Sequence, residues 1–532
     1  MGRRIDLSEG NNRRLVVGGL LLGILMASMD NTIVATAMGT IVSELGGMDK
    51  FVWVTSAYMI ASVAGMPIWG KLSDMYGRKL FYLSGLLLFI AGSMLCGTAQ
   101  DMTQLILYRG LQGLGGGALM PIAFTIIFDI FPPAERGRVS GLFGAVFGLS
   151  AIFGPLLGAY LTDYANWRWV FYVNMPLGFI SLLLLFKFYH ESLKHRAQKI
   201  DWLGSVLLVA SVLSLMLALQ LGAKGHTWES PRLIVLLGSF ILCLILFLWV
   251  ERRVTDPVIQ LGLFKDRLFA FSQGTALLYG AVFILCTVYI PIYVQGVFGG
   301  SATGAGFILM PMMLGSVAGS QVGGANTRRA SYRNIMLISG LLLLLGVTLL
   351  GSLSAATPRW MVTIYMIITG MGVGVSFPVL AMSSVHDLDF NLRGSANAQV
   401  AFFRTIGMTL GISIFGSVQS HLFISGMKNA FPGVHVLNSV NDSRFLLQPA
   451  VRAQIPPNVL EKLTAILAAS IDKVFQYSLI TVLLALICII LMGNARLQVG
   501  TGPVPSHRGG EDNDVYEADS PGSLDGGGEA SL

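Results

Sequence analysis

Three charged side chains stand inside long apolar runs. Asp30 lies in the run that starts near Leu15, Arg109 in the run from Thr103, and Arg404 in the run from Ala396. If these runs cross a bilayer, Asp30 sits roughly 22 Å deep, at about 1.5 Å per residue. An ionised Asp at such a depth costs at least ~2.5 kcal/mol unless it is paired or hydrated. Burial disfavours its charged form and a nearby cation restores it. Such a carboxyl can exchange a proton in step with a conformational change, hold a cationic ligand, or sit in a permanent ion pair. Arg109 is the expected partner, because the two residues lie at similar depths below the same end of their runs. Arg404 has no acid at a matching depth. It either clamps backbone carbonyls or takes part in transport.

No other constellation competes with these three. There is no phosphate-binding Gly-rich loop of the Walker type, no catalytic triad and no H-E-x-x-H. The four cysteines, Cys96, Cys243, Cys286 and Cys488, are scattered through apolar runs and form neither a disulfide framework nor a metal site. ATP-driven transport and membrane-enzyme chemistry therefore have no residues to support them. The expectation is no enzyme activity, no metal and no cofactor beyond a proton gradient as energy source.

The elements that position these charges follow from composition. Of 532 residues, 54% are hydrophobic and 12% charged, against about 25% charged in an ordinary soluble domain. Glycine, at 63 residues, suits closely packed membrane helices. The expected fold class is an all-α polytopic membrane protein. Fourteen apolar runs start near Leu15, Val52, Leu80, Thr103, Val139, Trp169, Trp202, Leu233, Leu268, Ala302, Asn334, Trp360, Ala396 and Phe475. With the N-terminus in the cytoplasm, the inner segments hold twenty-one Lys and Arg and the short outer connections five. The positive-inside rule then puts both termini in the cytoplasm. The net charge of +7 thus reflects topology and not nucleic-acid binding.

An internal repeat organises the runs. Gly113, Gly115, Gly117 and Pro121 recur as Gly370, Gly372, Gly374 and Pro378, and Arg136-Gly137 as Arg393-Gly394, all at an offset of 257. Two duplicated six-helix halves are expected, with two helices inserted between them. The predicted divisions are an N-terminal segment over 1–14, a first bundle over 15–190, an inserted pair over 200–250 and a second bundle over 267–494. An outer loop over 421–473, with four prolines, interrupts the second bundle. A disordered acidic tail follows over 495–532.

Four stretches carry further information. Gly70-Lys71-Leu72-Ser73-Asp74-Met75-Tyr76-Gly77-Arg78-Lys79 joins the second and third runs. Gly70 and Gly77 allow a tight turn. Asp74 can cap the third helix or pair with a base, and Arg78 and Lys79 can pair with acids at neighbouring helix ends. This segment resembles the G-x-L-x-D-R-x-G-R-K loop of the major facilitator superfamily, with Met75 in place of Arg. The stretch from Leu105 through Arg109 to Gln112-Gly113 is similar to that family's helix 4 motif. Gly154-Pro155 and Gly158 resemble its antiporter motif and are expected to loosen helix 5. Met29-Asp30-Asn31-Thr32, Trp167-Arg168-Trp169 through Asn174-Met175-Pro176, and Phe403-Arg404 look like its branch of drug:proton antiporters with fourteen helices.

The resemblance implies a proton-coupled exporter of amphipathic, often cationic drugs that works by alternating access. Asp30, Arg109 and Arg404 would couple proton and substrate. Gly70, Asp74, Gly77, Arg78, Lys79 and Asp129 would form the cytoplasmic gate. The second-half loop, Gly324 to Arg333, has three arginines and no acid, so the gate is expected to be asymmetric. The expected setting is the cell membrane, as a monomer whose partners are small molecules, protons and lipid. A dedicated exporter of one antibiotic, metabolite or lipid is the alternative within the class. A non-transporting receptor on the same scaffold is the alternative outside it.

Overall fold

The computed structural model describes residues 10–46, 50–191, 201–223, 230–255, 257–299, 302–354, 357–389, 392–431 and 455–496. The predicted acidic tail beyond residue 496 and the first nine residues lie outside these. The described residues form fifteen α-helices and one short 3-10 turn and no strand. In the first half these are α1 (Gly10–Leu45), α2 (Phe51–Tyr76), α3 (Arg78–Thr98), α4 (Met102–Ile130), α5 (Pro133–Tyr164), α6 (Trp169–Tyr172) and α7 (Asn174–Phe188). The inserted pair is α8 (Trp202–Ala223) and α9 (Pro231–Glu251). The second half holds α10 (Arg267–Gly296), α11 (Ala302–Asn326), α12 (Tyr332–Leu350), α13 (Arg359–Ser384), α14 (Arg393–Ala430) and α15 (Pro457–Leu491). Eleven helical stretches are long and apolar enough to cross a bilayer, with Trp169–Phe188 counted as one. Helices α2, α5 and α11 pack alongside them in the bundle. With these three the described bundle holds fourteen long helical segments, the number of the apolar runs.

Local chemistry sets the helix starts. Asp101 caps α4 by accepting from the Gln104 amide at 2.9 Å. Asp266 and Ser331 do the same for α10 and α12. Gly77 separates α2 from α3 at φ 112°, a backbone region that side-chain-bearing residues avoid. Helix α5 runs through Gly154-Pro155 without a break. Both glycines bring α5 close onto α1. A methyl on Gly154 would run into Thr32 Oγ1, and one on Gly158 would stand 2.7 Å from Ile33 O.

The outer loop predicted over 421–473 is shorter than expected. Helix α14 continues to Ala430 and α15 begins at Pro457, so the connection spans only about the middle half of that range. Polar residues such as Glu461, Lys462 and Asp472 end the apolar signal early, yet they sit on turns of one helix that starts with proline in its first turn.

The halves repeat each other in packing. Helix α4 wedges between α2 and α3, and α13 between α11 and α12. Helix α1 lies on α5 and α7, as α10 lies on α14 and α15. The halves meet through α2 on α14 and α5 on α11. The repeated glycines explain this. Added methyls on Gly113 and Gly117 would strike the backbone of Tyr58 and Ser62 in α2, and one on Gly115 the backbone of Phe89 in α3. Those on Gly370, Gly374 and Gly372 would strike Met312, Ser316 and Leu343 in α11 and α12. Only hydrogen at those places lets backbones approach this closely. The repeated arginines agree too. Arg136 Nε donates to Phe131 O at 3.0 Å, and Arg393 Nε to Leu388 O at 3.3 Å.

Candidate functional site

Asp30, Arg109, Gln112, Ser93 and Asn174 meet in the interior of the first half, each 0% exposed. They come from α1, α4, α4, α3 and α7. The Asp30 carboxylate is ion-paired and hydrogen-bonded with Arg109 through Oδ2. Its other oxygen accepts from Gln112 Nε2 at 2.7 Å and from Asn174 Nδ2 at 2.9 Å. Arg109 also donates to Gln112 Oε1 at 2.8 Å and, through Nε, to Val54 O at 3.2 Å. Its guanidinium lies over the Tyr58 ring, 4.4 Å from the centroid. Ser93 Oγ accepts from Asn174 at 3.0 Å and from Gln112 at 3.2 Å, and donates to Phe171 O at 2.8 Å.

The physical consequence is specific. Two amide donors and a cation surround a buried carboxylate, so its charge is paired and both of its oxygens are hydrogen-bonded. Protonating Asp30 cancels the charge that Arg109 is there to balance and turns one acceptor oxygen into a donor facing other donors. The network must then rearrange, and it links four helices. The depth match between Asp30 and Arg109 is therefore a contact. Gln112 belongs to it as a ligand of Asp30 and not only as a motif residue. Ser93 stands outside the sequence motifs, and Asn174 within the stretch from Trp167 to Pro176. Uncharged polar residues in apolar runs give no signal of their own.

Arg404 lies elsewhere. Its Nη2 donates to Ser376 O at 3.4 Å and its guanidinium stacks on Phe377, 4.3 Å from the centroid. Among the described residues no carboxylate is in ion-pair range of it. It clamps a carbonyl of α13 and is not brought to Asp30.

At the basic end, Asp74 reaches across to the other half. Its carboxylate accepts from the backbone N–H of Gly394 at 2.9 Å and of Ser395 at 2.7 Å, at the start of α14. It therefore caps α14 and not α3, as the expectation had allowed. The α3 amides of Arg78 and Lys79 are instead capped by Glu191, at 2.8 and 3.1 Å. Asp74 also lies 3.4 Å from Arg78, which is ion-paired with Asp129 of α4. Lys79 Nζ donates to Phe186 O at 2.8 Å, so it braces α7 and joins no ion pair with Asp74 or Asp129. Gly70 makes the crossing possible, since a methyl there would collide with Ala398 and stand 2.9 Å from Gly394 O. One further bond between the halves, Asn397 Nδ2 to Thr125 Oγ1 at 3.2 Å, lies nearby. These contacts join the two halves at this end of the bundle.

At the opposite end, Glu44 of α1 accepts from Trp167 Nε1 at 2.7 Å and pairs with Arg168. These hydrogen bonds, Arg168's first and Trp167's second, hold the Glu44 carboxyl below its usual range. The Trp167-Arg168 pair is thus a clasp on α1.

A duplicated helical bundle with a buried acid in one half and charged contacts between the halves is an architecture that secondary transporters use. The chain matches the model of the Major Facilitator Superfamily over residues 20–412 and belongs to that family. It is 52% identical to Multidrug resistance protein 3 of Bacillus subtilis (strain 168), over 91% of this chain and 96% of the relative. It is 35% identical to Multidrug transporter protein MdtP of the same organism, over 77% and 76% of the two chains. A crystal structure of the human organic anion transporter MFSD10 (TETRAN) shares the fold, with a TM-score of 0.56 at 14% identity, covering 88% of this chain and 99% of the other. The protein is a multi-pass membrane protein of a transporter family.

Proposed function

We propose that this protein exports amphipathic, often cationic compounds across the cell membrane in exchange for protons, by alternating access. Both termini are cytoplasmic, which makes the basic end the inner one. The observation that carries the reading is the Asp30 network, a buried carboxylate whose protonation state is tied to the packing of α1, α3, α4 and α7. The names of the bacterial relatives, a multidrug resistance protein and a multidrug transporter, support export of more than one drug. Asp30 takes a proton from outside and releases it inside. The latch from Asp74 to α14 holds the inner end shut and yields when the equilibrium shifts. Near 180 mV of total proton motive force, one proton supplies about 4 kcal/mol, enough for a gradient of roughly a thousandfold.

Everted vesicles test this. Vesicles that carry the protein should accumulate ethidium when a pH gradient, acid inside, is imposed, and should not without it. Unrelated cationic dyes should compete. Accumulation that ignores the gradient contradicts proton coupling. Competition confined to one chemical scaffold favours a dedicated exporter.

A further inference from the structure

A second pair of buried carboxyls stands apart from Asp30, at the basic end of the inserted helices. Asp201 immediately precedes α8 and Glu251 ends α9. Asp201 is 7% exposed and Glu251 3%. One oxygen of each is committed to the backbone. Asp201 Oδ1 caps α8 through the Gly204 amide at 2.8 Å, and Glu251 Oε1 accepts from the Ile259 amide. The remaining oxygens, Asp201 Oδ2 and Glu251 Oε2, are buried and have no donor. They face the same point. A methyl on Gly204 would run into Asp201 Oδ2 and stand 2.9 Å from Glu251 Oε2. The two side chains are within hydrogen-bond reach of each other. Two acceptors at that distance make a bond only if a proton sits between them.

The surrounding charges favour one proton. Lys71 of α2 is 7% exposed and its charge acts on Glu251. Helix α14 brings Ala401 and Phe402 into the shared core, and Ser395 Oγ donates to Val258 O at 3.4 Å. With one proton the pair carries a single negative charge against Lys71. With none, two buried carboxylates repel each other. With two, the attraction between the pair and Lys71 is lost.

We propose that Asp201 and Glu251 bind one proton between them, as a second protonation site beside the Gly70–Lys79 loop, and that losing it loosens the inserted pair from α2 and α14. The site does not depend on what the protein exports. It senses pH at the basic end, next to the residues that form the latch.

Infrared spectroscopy of the purified full-length protein at neutral pH provides the test. The wild type should show the C=O stretch of a protonated carboxyl. Glu251→Gln and Asp201→Asn should each lose it, whereas Asp30→Asn should keep it. Both variants retain the oxygen that accepts from the backbone, so the two check each other if one folds poorly. Hydrogen exchange at the start of α8 should rise with pH in the wild type, and Glu251→Gln should lose that dependence. A spectrum unchanged by either substitution overturns the proposal. So does a protonated-carboxyl band that appears only when sodium is removed, which would make the occupant a metal cation.

Discussion

The two halves share a skeleton and differ in what it holds. In the first, Arg109 and Gln112 project from α4 onto Asp30. At the same offset of 257 the second half has Met366 and Thr369, both buried. Thr369 Oγ1 turns back to Tyr365 O, 2.8 Å away on its own helix. The loops diverge as well. Asp74 caps α14 across the interface, while the second-half loop brings arginines and no acid. Yet the glycine crossings survive in both halves. Duplication kept the contacts that leave no room for a side chain and let the polar side chains drift. In the proposed exchange a carboxylate in one half is enough, because a bias on one half shifts the equilibrium of the pair.

The contrast can be broken most severely at Arg109. Arg109→Gln leaves Asp30 buried without its counterion, a loss of about 3–5 kcal/mol, and should abolish gradient-driven transport. Arg404→Gln strands no carboxylate and should cost clearly less. Thermal unfolding in detergent measures both, and equal losses would erase the distinction between the halves. A double variant, Asp30→Asn with Arg109→Gln, should recover stability over Arg109→Gln alone without recovering transport.

The shared skeleton predicts matched effects. Gly113→Ala and Gly370→Ala each force a methyl against backbone, of Tyr58 and Met312 respectively. Each should cost about 1–3 kcal/mol by overpacking, read as lowered Tm. A harmless substitution in one half would show that the two crossings are not equivalent.

Much of this was legible in the sequence. The repeated glycines and arginines implied the two halves, and matched depth implied the contact of Asp30 with Arg109. The rest depended on partners without a signature. Asp74 binds backbone amides some 320 residues away, and a backbone amide looks the same in every sequence. Asn174 and Ser93 are small polar residues in apolar runs, and Asp201 and Glu251 are drawn together only when α8 packs on α9.

A smaller effect is expected at the latch. Asp74→Ala removes the cap from α14 and should cost about 1 kcal/mol, roughly a fivefold shift towards the state open at the basic end. Cross-linking of cysteines placed in α2 and α14 reports it, and unchanged cross-linking would mean that Asp74 does not hold the halves together. The smallest effect belongs to the clasp at the opposite end. Glu44 is held below its usual range by Arg168 and Trp167. Its contribution is therefore complete above the usual carboxylate range and is lost as the pH falls through its lowered value. Because the pair is partly exposed and screened, Glu44→Gln should cost no more than about 0.5 kcal/mol at neutral pH. The difference should shrink in acid, which thermal unfolding at two pH values checks.

The central claim is that Asp30 carries the exchanged proton. It is tested most directly by adding ethidium to purified, weakly buffered protein and recording pH with an indicator dye. At a pH acid enough to protonate Asp30, wild type should release protons on binding the dye, and Asp30→Asn should release none while remaining folded. Equal proton release from the two proteins would contradict the account.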